Sequence, residues 1–256
     1  MKPEKITILY FSPTGGTEKV ARLICERLGG NTVCRDMTVK NADVLTFTGN
    51  DLAVFCVPVY GGRVPAPVKE RLSRMSGSGT NAALTAVFGN RAVDDALLEL
   101  RDMVGEQGFR TIAAAEFIAP HSVDPVYGAG RPDAADKKVI AEFAEKLLNK
   151  AAADSPSVIT VPGRSPYVKY DGIPLKPAVS AIKCIRCGAC AVNCPAGAID
   201  FINPKLTDKA MCISCMRCIS ICPKRARHIP APMKTAASAA LKRVCAGRRE
   251  PKIYIE

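Results

Sequence analysis

Eight of the chain's twelve cysteines stand between Cys184 and Cys222, in two runs that repeat with a period of 28 residues. CIRCGACAVNCPAGAI aligns with CISCMRCISICPKRAR, so that Cys184 matches Cys212, Cys187 matches Cys215, Cys190 matches Cys218, Cys194 matches Cys222 and Pro195 matches Pro223. Each run reads C-x2-C-x2-C-x3-C-P. In an exported miniprotein such density builds disulfides; in a chain without an export signal it points to metal. The opening MKPEKITILYF is charged at its start and too short in its apolar part for a secretory h-region, and it reads better as a first strand. Thiolates are soft ligands that suit iron–sulfur cores, and each iron of a cubane takes one. Structural zinc usually takes four ligands from two separated pairs, which two matched triplets, each trailed by a single cysteine, do not require. The spacing therefore favours two iron–sulfur cubanes in two similar halves related by a pseudo-twofold.

Over about fifty residues, 181–232, this motif resembles the bacterial two-cluster ferredoxins. The resemblance implies a small α+β domain with two [4Fe-4S] clusters, in which the fourth cysteine of each run ligates the other cluster. One cluster is then assigned to Cys184, Cys187, Cys190 and Cys222, the other to Cys212, Cys215, Cys218 and Cys194. Gly188, Ala189 and Ala191 are small enough to let backbone N–H groups approach the sulfurs, which raises a cluster's potential. Cys25, Cys34, Cys56 and Cys245 fall outside the motif; Cys25 and Cys56 sit in apolar helix and strand settings and read as buried, inert thiols.

Residues 1–150 alternate between apolar runs and amphipathic stretches. Strands are expected at Ile6–Phe11, Thr32–Arg35, Leu52–Val59, Ala82–Phe88 and Thr111–Ile118, and helices at Thr17–Leu28, Pro67–Met75, Asp94–Gln107 and Pro132–Lys150. Continuously apolar strands such as LAVFCV belong in a sheet covered on both faces. Five of them with intervening helices predict a doubly wound parallel α/β sheet, with the second helix short or missing because residues 36–50 hold little helical pattern. Residues 151–180 are rich in Pro, Gly and Ser and form a connector whose VITV and YVKY pieces are expected to dock. Residues 233–256 form an Ala/Lys/Arg-rich helical stretch followed by KIYIE, an extension without an assigned role.

The first strand runs into Phe11-Ser12-Pro13-Thr14-Gly15-Gly16-Thr17 and then a helix. Three hydroxyls and exposed N–H groups at a helix N-terminus make an anion cradle. It lacks the Gly-Lys-[Ser/Thr] of a nucleoside-triphosphate loop and the G-x-G-x-x-G of a dinucleotide loop. The third strand ends in Pro58-Val59-Tyr60-Gly61-Gly62-Arg63 and the fourth in Phe88-Gly89-Asn90-Arg91, and both loops flank the switch point where open α/β sheets bind ligands. Together these features resemble flavodoxin over about 150 residues. The resemblance implies strand order 2-1-3-4-5 and an FMN whose phosphate is held by Ser12, Thr14, Gly15, Gly16 and Thr17. Pro58, Val59, Tyr60, Gly61, Phe88, Gly89, Asn90 and Arg91 would bracket its ring, with Gly61 or Gly89 presenting backbone near N5.

Several of these residues carry a plainer reading. Tyr60 is a flavin wall or a loop tyrosine, and Phe88 a flavin wall or core. Arg91 is a flavin contact or the partner of Asp94 or Asp95. Lys19 reads as a solvated helix residue. His121, in the Ala119–Arg131 loop with Tyr127, is an ordinary loop histidine or a proton-handling group at the flavin edge. The chain has no tryptophan, so the stacking partner is open.

Charge is uneven: residues 1–150 carry 19 Lys and Arg against 18 Asp and Glu, and residues 151–256 carry 17 against 6. Each ligated oxidised cluster adds about two negative charges, so part of the surplus compensates the clusters and part suits an acidic redox partner. No DNA-binding motif accompanies the charge, and no apolar run approaches a membrane span. The whole chain resembles the flavodoxin–ferredoxin fusions of anaerobic bacteria and archaea. That resemblance implies a soluble, cytoplasmic electron-transfer flavoprotein exchanging electrons with a ferredoxin or a redox enzyme. The alternatives are an FMN-dependent reductase fed by its own clusters, and a redox sensor. Changing Cys25, Cys34, Cys56 or Cys245 to Ala is expected to leave the visible cluster absorbance intact; its loss in any one variant would contradict the assignment.

Overall fold

The computed structural model describes residues 2–39 and 44–255. In chain order the first module comprises β1 (Ile6–Tyr10), α1 (Gly16–Leu28), β2 (Thr32–Asp36), β3 (Leu45–Thr46), β4 (Leu52–Pro58), α2 (Ala66–Leu72), β5 (Met75–Ser76), β6 (Asn81–Phe88), α3 (Ala96–Gly105), β7 (Arg110–Ile118) and α4 (Ala134–Ala151). The cysteine-rich module adds β8 (Ala178–Val179), α5 (Ala189–Val192), α6 (Arg217–Ser220) and β9 (Arg227–His228). The chain then forms α7 (Ala231–Val244) and β10 (Lys252–Tyr254).

Alternation along each strand builds the sheet's two faces. Leu9, Phe11, Phe55, Val57, Leu84 and Phe88 point into one apolar cluster with Leu72, Leu97 and Leu100 from α2 and α3. Ile8, Tyr10, Val54, Cys56, Ile112 and Phe117 enter the other with Val20, Ile24, Phe143 and Leu147 from α1 and α4. Strands β4 and β1 are buried throughout, as a sheet covered on both faces requires. The order is β10-β7-β6-β4-β1-β2; all neighbours are parallel except β10, which runs antiparallel to β7. Between β2 and β4 no helix occurs among the described residues; Lys40–Asp43 of the weakly patterned stretch 36–50 lie outside them.

The expected five-stranded sheet is therefore six-stranded. The sixth strand comes from the extension that had no assigned role. KIY covers the edge that β7 would otherwise leave open, and its alternation fits both faces: Ile253 packs on the α1/α4 side and Tyr254 on the α2/α3 side. Three hydroxyl or basic contacts reinforce the return. Tyr254 Oη donates to Glu116 (2.7 Å), Lys150 Nζ to the Ile255 carbonyl (3.3 Å) and Arg248 Nη1 to Asp133 (2.6 Å). The cysteine-rich module is thus tied to the first at both ends. No helix among the described residues is long and apolar enough to cross a membrane.

The connector docks along the α2/α3 side. Ile159 donates its N–H to the Thr111 carbonyl (3.0 Å), Ile159 and Val161 pack on the core, and Asp95 accepts from the N–H of Arg164 (2.8 Å) and of Val168. Arg63 holds Glu99 through two bonds (2.8 and 2.7 Å), donates to the Val168 carbonyl (2.9 Å), and lies 4.7 Å from the Tyr167 ring centroid. Asn90 is the strongest clasp on the C-terminal return: Nδ2 donates to the carbonyls of Cys245 (2.8 Å) and Gly247 (2.7 Å), and Oδ1 accepts from Arg249 N–H (3.2 Å). At ~1 kcal/mol per bond, Asn90→Ala is expected to destabilise the protein by about 3 kcal/mol in denaturant unfolding. A loss within error of zero would mean that β10 holds the return by itself.

Candidate functional site

The loop after β1 enters α1 through Gly15, which takes a left-handed conformation (φ 87°) that an L side chain resists. Ser12 is buried; its Oγ accepts from Glu18 N–H (2.9 Å) and its N–H donates to Thr38 Oγ1 (2.8 Å). The N–H groups of Gly16 and Thr17, in the helix's first turn, have no intrahelical acceptors. Gly16 also meets Ala119 so closely that an added Cβ would stand 2.9 Å from the alanine methyl. A cleft of about 700 Å³ opens here, lined by Ser12, Thr14, Gly16 and Thr17, by Pro58–Gly62, by Phe88, Gly89 and Arg91, and by Ala119–Val123. Strand order explains the convergence, since β1 and β4 are neighbours and the loops after β4, β6 and β7 all leave the same end of the sheet.

Tyr60 is buried at the cleft's edge. Burial, with Cys215 and Tyr170 beside it, holds its phenol well above the ordinary tyrosine value. Phe88 belongs both to the core and to the cleft wall. Arg91 lines the cleft and also pairs with Asp94. Gly61 and Gly89 have little free space on their Cβ side: a Cβ on Gly61 would stand 2.5 Å from the Tyr170 ring, and one on Gly89 2.5 Å from His121. Asn90 departs from expectation. Its side chain is spent on the C-terminal return and does not line the cleft, and Gly15 shapes the loop without lining it.

The eight motif cysteines form two fours around two voids. Cys184, Cys187, Cys190 and Cys222 line one. Cys194, Cys212, Cys215 and Cys218 line the other. The repeat is copied in backbone geometry: left-handed φ values recur 28 residues apart at Arg186 and Ser214, Gly188 and Met216, Gly197 and Arg225. Ala198 N–H donates to Cys194 Sγ (3.3 Å) and Ala226 N–H to Cys222 Sγ (3.2 Å), again in register. Among the described residues no three His, Cys, Asp or Glu side chains converge as they would around a single ion. Four thiols spread about a void suit a cubane better than tetrahedral zinc.

The two modules meet at the second void. Arg217, beside Cys218, donates to the carbonyls of Pro13 (3.1 Å) and Ser12 (3.4 Å), placing a guanidinium on a loop whose own residues Ser12–Thr17 include no Lys or Arg. Ser214 Oγ donates to the Ile173 carbonyl (2.9 Å), and Met216 packs with Val123 and Leu175 under α7. Cys187, at the first void, is solvent-exposed.

A family model described as "Flavodoxin" matches residues 8–138, just over half of the chain. The chain belongs to the flavodoxin family. Residues 183–226 match a second model, "4Fe-4S dicluster domain". A ferredoxin-like protein from the nif region of Rhizobium leguminosarum bv. trifolii is 35% identical over 60 residues, 21% of this chain and 94% of that protein. Among solved structures, a flavodoxin from Streptococcus pneumonia TIGR4 is 18% identical with a TM-score of 0.41, covering 57% of this chain and 98% of its own. A flavodoxin from the domain Archaea is 10% identical with a TM-score of 0.43, covering 58% and 99%.

The flavodoxin domain carries FMN and the dicluster domain two [4Fe-4S] clusters. The residues present fit both groups: the flavodoxin cleft has a cradle of free first-turn N–H groups, and each four of thiols encloses one void. Sequence reasoning missed Ile173, which lines the flavodoxin cleft, and Arg217 and Tyr170, which meet residues of its wall at Ser12, Pro13 and Gly61, since nothing local ties residues so far along the chain to the phosphate loop.

His121 lines the flavodoxin cleft, and its Nδ1 accepts from Val123 N–H (3.2 Å), which leaves the ring proton on Nε2. Burial lowers its pKa below the ordinary histidine value; Arg91 adds to this and Asp124 opposes it. The unfolded chain then takes up the proton first, so stability is full above the unfolded value of about 6.5 and declines as pH falls below it. Unfolding of wild type and His121→Gln compared at pH 7.5 and 5.5 is expected to show a smaller acid loss in the variant. Equal losses would show that the imidazole is not buried in its neutral form.

Proposed function

We propose that this iron–sulfur flavoprotein relays electrons between a surface cluster, an inner cluster and FMN, and exchanges them with a redox partner protein. Clusters carry one electron at a time, and a flavin takes one or two, so the pairing suits conversion between the two modes. The observation that carries the reading is the placement of the three sites in series. The four containing Cys187 faces solvent, Arg227 lines both cysteine voids, and the loop of the inner four lies against the phosphate loop through Arg217.

The chain's own residues divide the work. Ser12, Thr14, Gly16 and Thr17 bind and orient the flavin phosphate at the helix N-terminus. Tyr60, Phe88 and the Ala119–Val123 loop exclude water from the ring, and Met216, Val123 and Leu175 keep the inner loop seated.

The partner's docking face surrounds the outer four. Ile182 is 97% and Ile185 58% exposed, and Lys183, Arg186, Lys224 and Arg225 are exposed around them. No Asp or Glu occurs from residue 181 to 199 or from 209 to 249. An apolar centre with a cationic rim suits an acidic electron-transfer protein, whose association is faster at low salt.

A second reading, reduction of a small electrophile at the flavin, draws on the Nε2 proton of His121 at the cleft. It is favoured if His121→Gln slows reduction of a small-molecule acceptor while leaving exchange with a protein partner unchanged.

Protein purified anaerobically is expected to hold about eight irons and one FMN, as two cubanes and one flavin require. Cys187→Ala should slow reduction by an external protein donor at least tenfold while FMN stays bound. Zinc in place of iron, or about four irons, would refute the ligand sets. Undiminished donor turnover in the Cys187 variant would refute the outer four as the site of exchange.

A further inference from the structure

Two buried arginines, Arg71 and Arg227, and a partly buried one, Arg217, stand near the inner four with more charge than their partners neutralise. Arg227 is 3% exposed and lines both cysteine voids; it donates to Thr207 Oγ1 (2.7 Å) and to the Pro204 carbonyl, both neutral. Arg71 is fully buried and donates to the carbonyl of Pro195 (2.9 Å), a residue that lines the inner void beside Cys194. Arg217 precedes Cys218 and reaches only carbonyls and the Asn193 amide oxygen (3.4 Å). In all three the Nε is buried without a hydrogen-bond acceptor. Among the described residues no carboxylate pairs with Arg217 or Arg227; Arg71 has Glu70, which is 46% exposed and shared with Arg74. A guanidinium does not neutralise itself by losing a proton, and a buried cation left without an anion is costly.

We propose that these arginines are a built-in countercharge, Arg227 for both clusters and Arg71 and Arg217 for the inner one, and that the latter two make the inner cluster the more readily reduced. The proposal rests on the ligand sets and the relay given above. A ligated cluster carries about 2− when oxidised and about 3− after taking up one electron, so a fixed cation nearby favours the reduced form. The pseudo-twofold copies one N–H···S bond in register, at Ala198 and Ala226, while Cys222 of the outer four also accepts from the N–H groups of Lys224 and Arg227, and Cys215 of the inner four from that of Arg217. Two of the arginines favour the inner side: Arg217 stands where the first half has Ala189, and Arg71 arrives from α2 of the other module, whereas Arg227, where the first half has Ile199, lines both voids and acts on both clusters. Around the outer four the cations Lys183, Arg186, Lys224 and Arg225 are exposed, and water and salt screen them. Arg71 and Arg227, buried, and Arg217, partly so, act in a drier medium, where the same charge counts for more. Solvent and the additional N–H···S bonds at the outer cluster work in the opposite direction, and the arginine charges outweigh them in this reading. Electrons arriving at the surface would then settle on the cluster beside the flavin.

The test is an anaerobic dithionite titration of the full holoprotein followed by EPR. Cys187→Ala removes a ligand of the outer four, so the inner cluster's signal is the unaltered [4Fe-4S] signal that remains. It is expected to be the one that is reduced first in the wild type. If the remaining signal is instead the one reduced later, the proposal is overturned, and that comparison needs no arginine variant to fold. Arg71→Gln is expected to shift the inner cluster's reduction equilibrium at least tenfold toward the oxidised form, ~59 mV for one electron, and to leave the outer cluster unmoved. Arg227→Gln should shift both, with Arg227→Lys retaining most of the wild-type value. Potentials unchanged in Arg71→Gln and Arg227→Gln that still hold eight irons would also overturn it. A wild type with zinc or about four irons would instead refute the ligand sets, before any potential is measured.

Discussion

The seam between the two modules is the constraint on which the rest of the molecule depends. Val123, Leu175 and Met216 are buried there, with Ile173, Ile219, Met233 and Leu241 packed around them. These residues come from four parts of the chain: the loop after β7, the connector, the inner cysteine loop and α7. Burying an apolar side chain of this size contributes about 1.5–3 kcal/mol, so the seam is held chiefly by packing. Arg217 supplies direction to that packing, because its bonds to the Ser12 and Pro13 carbonyls fix how the inner loop sits on the phosphate loop. Docking through the connector alone would leave the cysteine-rich module on a hinge. The antiparallel β10 and the Asn90 clasp close the other end, and two-ended attachment turns high effective concentration into fixed geometry.

What the sequence made legible was local or periodic. The five parallel strands could be read because their apolar runs are continuous, and the phosphate loop because strand, glycine turn and helix follow one another without interruption. The cysteine repeat could be read because it carries its own register, down to the left-handed positions at Gly188 and Met216, whereas the crossed fours came only from the resemblance to two-cluster ferredoxins. The sixth strand could not be read. KIY is three residues long and acquires its strand geometry only by meeting the edge of β7, more than a hundred residues earlier. Asn90 misled for a related reason: its place beside Gly89 suggested the flavin, yet its amide is satisfied by carbonyls near the end of the chain. Arg217 and Tyr170 meet the cleft's wall, and Ile173 lines it, only through tertiary packing, which no window of sequence contains.

The glycines show how one residue type can serve two causes. Gly15 is required by backbone conformation at the helix start and has nothing within 4 Å of an added Cβ. Gly89 is required by neighbours, since His121 occupies the space that a side chain would fill. Reading both as sites of close approach by a ligand captures the cleft's location but not the reason each glycine is there.

The surplus of positive charge in the second part of the chain likewise separates into two populations once the fold is known. Lys183, Arg186, Lys224 and Arg225 are exposed around an apolar centre, where a cation's influence is long-ranged at low salt and weak at close quarters in water. Arg227 is buried and Arg217 partly so, and there a cation's influence is short-ranged and strong. A formal count treats all six alike. In the relay proposed above, the first group meets another protein and the second answers the charge that an electron adds, so that one surplus would serve both ends of the electron's path.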